Sequence, residues 1–303
     1  MVLLLQQDTD QHARQVHTLS LQSSASVAVC IAGRLRTFET SRENILQTQI
    51  TPLGFDAEVF VVVSPVTHDK TRAGRFAKDT TKFKVEEATA VTALFEPLQP
   101  FAIDINETTS QQDGLQHCLH MVSARESQRG LKFVWILRLR PDVVYSRSLP
   151  PVTTWPKPQG SIVYADGVTR YCRTQDRREG FCVKEIWGLM TRSAADVYMS
   201  GRWPGHVKCS GIARFFPVAY GRQECELGCA LYTGHVSVAR LPITRRILRD
   251  WDCKLLENKT DLTLAAYRVG PSRLSTLEAA DWANASFLYD HRMHPNSSFA
   301  CNE

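Results

Sequence analysis

Two groups of charged residues stand where apolar runs end. Gly33, Arg34 and Arg36 follow Val27-Ala-Val-Cys-Ile-Ala32, and Arg138, Arg140 and Asp142 follow Phe133-Val-Trp-Ile-Leu137. A planar guanidinium presents N–H donors in a fork that matches two phosphate oxygens at once, so this combination suits a grip on a diphosphate. Arg138, Arg140 and Asp142 share parity, which in an extended chain sends them to one side while Leu137 and Leu139 take the other; Pro141 can bend the last step. Guanidinium groups at the end of a buried strand are costly to desolvate unless paired, so such a face must meet partners or a polar cavity. A local Arg–Asp network that ties down the sheet edge is the competing reading.

The elements that must position these residues can be read from hydrophobic periodicity. Continuous apolar runs at 27–32 and 57–63 have the character of strands buried on both faces of a parallel sheet, with a helix over 40–50 between them. A helix near 85–95, a strand near 101–105 and a helix over 112–128 follow, the last with Leu115, Cys118, Leu119 and Val122 at i, i+3, i+4 and i+7. Strands are expected at 133–137 and 161–165, and helices at 193–200 and 224–233. This alternation predicts an α/β fold with an open, mostly parallel sheet. In such a sheet the carboxyl ends of the parallel strands share one edge, where ligands bind. If the first and the later strand are neighbours, four arginines and Asp142 converge on one cleft. Residues 1–25 read as a polar flexible arm, 26–250 as the α/β domain and 251–303 as a C-terminal extension. The stretch from His68 to Lys84 is basic and loop-like, a solvated loop or a lid over an anionic ligand.

Composition narrows the function classes. The chain has 303 residues, 43% hydrophobic and 22% charged, which excludes collagen-like, coiled-coil and wholly disordered readings. Lys and Arg exceed Asp and Glu by 36 to 31, a net +5 too small to mark a nucleic-acid binder; a small anionic ligand remains open. Met1-Val-Leu-Leu-Leu5 is too short for a secretory apolar region and lacks a basic flank, and no segment approaches a membrane-spanning run. Two features point the other way. Four of the six asparagines, Asn106, Asn258, Asn284 and Asn296, stand in N-x-Ser/Thr sequons. Seven of the nine cysteines, Cys172, Cys182, Cys209, Cys225, Cys229, Cys253 and Cys301, lie in the C-terminal half, as in a disulfide-stapled lumenal domain. The resulting expectation is a secretory or Golgi-lumen protein whose membrane attachment, if any, is an anchor outside this chain; a cytoplasmic protein is the alternative. Cys225 and Cys229 lack a second pair at zinc-finger spacing, so zinc is not expected.

Several motifs, in order, resemble a known family. Val27-Ala-Val-Cys-Ile-Ala-Gly-Arg-Leu-Arg-Thr-Phe38 is similar to the "C-x-S/A-G-x-x-R-T/N-F" opening of glycosyltransferase-like proteins of polysaccharide and lipopolysaccharide synthesis and their plant and algal relatives. A helix and a strand similar to that family's "D-x-F" follow, Asp56-Ala-Glu-Val-Phe60 here, with one extra residue. Trp135-Ile-Leu-Arg-Leu-Arg-Pro-Asp142 resembles "W/Y-V-x-R-x-R-P/T-D". Lys184-Glu-Ile-Trp-Gly-Leu-Met190 with Arg192 and Tyr198 resembles "N-D-x-W/F-x-x-M/G-x-R…Y", and Glu224-Cys-Glu-Leu227 lies near an "E-x-x-L" helix. The resemblance spans roughly residues 26–250.

It implies a GT-A-type fold and a glycosyltransferase that moves a sugar from a nucleotide-diphosphate sugar to a glycan or glycoprotein hydroxyl. Gly33, Arg34, Arg36, Arg138, Arg140 and Asp142 would then bind the donor. Asp142 would stand at the metal-binding acidic motif, implying a divalent cation, Mn2+ or Mg2+. Such enzymes usually carry Asp-x-Asp, whereas the first acidic position here is Arg140. Arginine can replace the metal electrostatically, or a distant ligand such as His291 or His294 can complete the site. Glu185, where the family usually has Asp, is the candidate general base, with Glu224 as its rival and a surface salt bridge to Arg177, Arg178 or Arg192 as its plainer role. Trp187, Trp203 and Trp282 are candidate sugar platforms or partial core. The alternative function is a non-catalytic glycan- or nucleotide-binding module that kept the fold.

Overall fold

The fold grows from β1 (Val27–Arg34), whose first six residues are buried on both faces of the sheet. The computed structural model describes residues 26–64 except 36, 88–105, 111–166 except 159, 168–173, 179–200 except 185, 222–241, and short pieces at 243, 245–247, 275–277, 282 and 285–289. After β1 come α1 (Phe38–Ile45), one π-helical and one 3-10 turn, β2 (Ala57–Ser64), α2 (Ala88–Phe95), β3 (Ala102–Ile105), α3 (Gln111–Arg129) and β4 (Trp135–Leu139). The pieces β5 (Val143–Tyr145) and β6 (Arg147–Ser148) lead to β7 (Ile162–Ala165), a hairpin of β8 (Val168–Arg173) and β9 (Glu179–Val183), and β10 (Gly188–Thr191). Then follow α4 (Arg192–Tyr198), α5 (Arg222–Thr233), β11 (Ser237–Arg240), β12 (Arg245–Ile247), β13 (Ser275–Thr276) and β14 (Ser286–Tyr289).

Eight of these strands form one sheet in the order β14-β11-β7-β10-β4-β1-β2-β3. Pairings of β1 with β2 and β4, of β2 with β3 and of β7 with β11 are parallel; β10 runs antiparallel to both β4 and β7, and β14 antiparallel to β11. The expected α/β class, an open and mostly parallel sheet with helices on both faces, is the architecture observed. The antiparallel β10 between β4 and β7 is the difference from the sequence reading. Its four residues, Gly-Leu-Met-Thr, are all buried and too few to show a period. Residues 286–289, beyond 250, add the edge strand.

Strand parity sorts the core into two layers. Val27, Val29 and Ile31 of β1 pack with Val59, Val61 and Val63 of β2 under α1 and α2, where Phe38 stacks on Phe95 with ring centroids 4.1 Å apart. Ala28, Cys30 and Ala32 face the other way, against Leu115, Cys118, Leu119 and Val122 of α3, in the layer that also holds Leu227, Ala230 and Leu231 of α5. A disulfide joins Cys30 to Cys118 across this second layer. Cys182 and Cys229 are disulfide-bonded as well, so both halves of the chain carry staples.

The amino end of β4 is anchored by charge. Arg192 Nε donates to both oxygens of Glu126 at 2.8 and 3.0 Å, Arg192 pairs with Asp196, and Glu126 Oε1 accepts from the Phe133 N–H at 3.0 Å. Burial lowers the pKa of this guanidinium, but the hydrogen bonds to Glu126 and Asp196 outweigh it and hold the pKa above its ordinary value. Arg192 therefore stays charged throughout the physiological pH range.

Candidate functional site

The strand order places a topological switch between β1 and β4. From β1 the chain steps through α1 to β2 and through α2 to β3 on one side; from β3 it returns through α3, on the opposite face, to β4 on the other side of β1. A reversal of strand order of this kind is where α/β sheets place a ligand crevice, here at the carboxyl ends of β1 and β4. Beside it the segment after β4 follows the α1 layer, with Asn44 Nδ2 donating to the Tyr145 carbonyl oxygen at 3.0 Å and the Leu149 N–H to that of Thr48 at 2.8 Å. Register fixes what lines it. Cys30 lies beside Arg138 and Ile31 beside Leu139, so the chain beyond Ala32 runs alongside the chain beyond Leu139.

Gly33 makes this junction close. At φ 151° its backbone is one that side chains with Cβ rarely adopt, and a Cβ there would stand 3.0 Å from Pro141 Cδ. A rigid ring cannot swing aside as the end of a long side chain can. Gly33→Ala is expected to cost about 2 kcal/mol of stability and to part the ends of β1 and β4. Urea unfolding checks the loss; a midpoint equal to that of the natural chain would refute it. Ser41 of α1 clamps the same junction from the other layer, its hydroxyl donating to the Pro141 carbonyl oxygen.

The charged residues share one face. Arg34 has the parity of Ala28, Cys30 and Ala32, and Arg138 and Arg140 that of Ile136, all on the α3 side of the sheet. Arg138 is fully buried, and its Nη1 donates to the Leu139 carbonyl oxygen; it contributes positive potential from beneath the crevice. Arg140 and Asp142 form a bidentate pair. Arg140 Nε donates to Asp142 Oδ1 at 2.8 Å and Nη2 to Oδ2 at 2.7 Å, while Nη1 reaches Gln111 Oε1 at the start of α3 at 3.2 Å. The Arg140 side chain is 17% exposed and that of Asp142 1%. The local network weighed from sequence is thus formed, with its guanidinium at the edge of the crevice.

Glu224, half-buried in the first turn of α5, belongs to the same edge by topology. Only three residues connect the end of α5 to β11, so α5 runs back along the sheet and its first turn lies toward the carboxyl ends of the parallel strands. Arg36, Glu185, Trp203, His291 and His294 lie outside the described residues. Trp187 and Trp282 are core residues: Trp187 is fully buried with Nε1 donating to Gln49 Oε1 at 3.2 Å, and Trp282 packs edge-on against Tyr164 with centroids 5.3 Å apart. The sequence reading missed Gln111 and Ser41. Their signal was positional, since a helix that returns to a parallel sheet begins at the carboxyl edge.

The donor set at Asp142 does not suit the divalent cation that the family resemblance implies. Both carboxylate oxygens accept from Arg140, so a cation at either would share its ligand with a two-point, charge-assisted contact and lie close to the guanidinium charge. Among the described residues no group of three His, Cys, Asp or Glu side chains is arranged to hold a metal ion.

No known protein-family profile matches the sequence, and no curated protein matches it. Among solved structures, the nucleoside-diphosphate-sugar pyrophosphorylase from Vibrio cholerae RC9 is similar to this chain at 10% sequence identity with a TM-score of 0.34, over 71% of this chain and 90% of that chain.

Proposed function

We propose that the chain binds a nucleotide-diphosphate sugar at the β1/β4 crevice and transfers the sugar to a hydroxyl of a glycan or glycoprotein acceptor. The observation that carries this reading is the placement of Arg34, Arg138 and Arg140 on one face at the topological switch, with Gly33 admitting close approach of the two strand ends. In the transfer, the acceptor oxygen forms a bond to the anomeric carbon as the bond from that carbon to the phosphate oxygen breaks. The electron pair leaves with the nucleoside diphosphate, whose charge the arginines stabilise. The hydroxyl proton goes to a carboxylate, for which Glu185 and Glu224 are the candidates.

The Cys30–Cys118 disulfide, together with the four sequons, favours an oxidising, lumenal compartment. No helix among the described residues is long and apolar enough to cross a membrane.

Calorimetric titration of the full chain with UDP- and GDP-sugars, followed by assay for transfer to glycan acceptors, tests the proposal. Binding with turnover is the expected result, and absence of binding by folded protein to every nucleotide diphosphate refutes it. Binding without turnover identifies the non-catalytic module, the reading that the closed Arg140–Asp142 pair favours over an acidic metal site.

A further inference from the structure

We infer that this diphosphate site works without a resident divalent cation, because the cation is built into the chain as the Arg140 guanidinium. The inference rests on the reading of the crevice as a diphosphate site. In metal-assisted diphosphate sites, carboxylates hold a cation and the cation holds the phosphate oxygens. Here the carboxylate at the end of β4 holds a guanidinium instead. Asp142 takes the Nε and Nη2 donors at 2.8 and 2.7 Å, and Gln111 takes Nη1 at 3.2 Å. Arg140 is thereby oriented from two elements, the end of β4 and the first turn of α3, as a metal ion is oriented by its ligands.

A further feature opposes a metal. Asp142 is almost wholly buried, and a cation bound to it would lie beside Arg140 with Arg138 beneath it, like charges in a poorly screened setting. Arg34, Arg138 and Arg140 share this face by parity, an arrangement suited to phosphate oxygens. Arg140 also keeps part of its side chain at the surface, where a phosphate can approach it, whereas Arg138 is sealed.

The full chain is titrated with UDP and with GDP in excess EDTA and, separately, in excess MnCl2. The expected result is binding in both buffers with affinities within about threefold of each other, and no Mn2+ bound to the nucleotide-free protein by electron paramagnetic resonance. Binding that needs Mn2+, or that Mn2+ tightens by about tenfold or more, overturns the inference and leaves the diphosphate site standing. No binding in either buffer overturns both. Arg140→Gln keeps a polar but shorter and uncharged side chain, and near-UV circular dichroism checks its fold. It should weaken binding in EDTA by about tenfold to a hundredfold with no rescue by Mn2+, and unchanged binding would overturn the inference. Arg140→Asp restores two acidic residues at the usual spacing. It should lose binding in EDTA and regain it with Mn2+; EDTA-resistant binding by this variant would also overturn the inference.

Discussion

The double variant Cys30→Ala/Cys118→Ala unfolds about 4–5 kcal/mol more easily than the natural chain, because the lost cross-link closes a long loop. The two cysteines are 88 residues apart in sequence, and both side chains are fully buried. Removing the bridge frees that whole segment in the unfolded state, while the folded state loses little beyond two sulfur atoms. A loss of this size is a large part of the stability of an ordinary domain. The bridge also holds α3 against β1 two turns from Gln111, the residue that steadies Arg140, so the variant should bind nucleoside diphosphates less tightly even where it remains folded. Guanidinium unfolding monitored by fluorescence measures the first effect, and calorimetry with UDP or GDP the second. A midpoint within error of the natural chain, or two free thiols at these positions in the denatured native protein, would refute the expectation.

The second large effect lies at the crevice. Asp142→Asn removes the charge that balances Arg140 at a site where the carboxylate is 1% and the guanidinium 17% exposed. Breaking a buried pair by neutralising one member costs about 3–5 kcal/mol, because the remaining ion keeps its desolvation cost and loses its partner. Fully buried Arg138 on the same face raises that cost. The double variant Arg140→Met/Asp142→Leu removes both charges and should recover most of the lost stability, since a well-packed apolar pair can match a buried ion pair. A coupling energy of about 2 kcal/mol or more is therefore expected from the cycle built on Arg140→Met and Asp142→Leu, read by urea unfolding. Additive effects would show that the pair, although closed, contributes nothing to the fold. The same double variant should bind nucleoside diphosphates poorly, which separates the structural from the ligand-binding role of Arg140.

Legibility of the fold followed element length and burial. The strands β1, β2, β3 and β7 lie within a residue or two of their expected positions, and β4 shares Trp135-Ile-Leu137 with its expected run, because strands buried on both faces are short continuous apolar runs. The long α3 carried a full amphipathic repeat and was equally plain. The antiparallel β10, the outer strand β11 and the edge strand β14 were not read as strands, because four residues leave no measurable period.

The sequence by itself determined that Arg34, Arg138, Arg140 and Asp142 stand near strand ends, since a charge costs too much inside an apolar run unless it is paired; only the structure showed that Arg138 and Asp142 are nevertheless buried. It also determined that the three residues at 138, 140 and 142 favour one side of an extended chain, since side-chain parity is a property of the backbone alone. Only the tertiary structure decided that β1 and β4 are neighbours across a switch point, because strand order depends on helices packing on opposite faces of the sheet. It alone decided that Cys30 pairs with Cys118, since pairing depends on which cysteines the fold brings together and not on their spacing. The same holds for the fork of Arg140 on Asp142. Parity sets the side on which two residues lie, and closure of a two-point contact needs the bend at Pro141 and the support of Gln111 from a helix that begins 29 residues earlier.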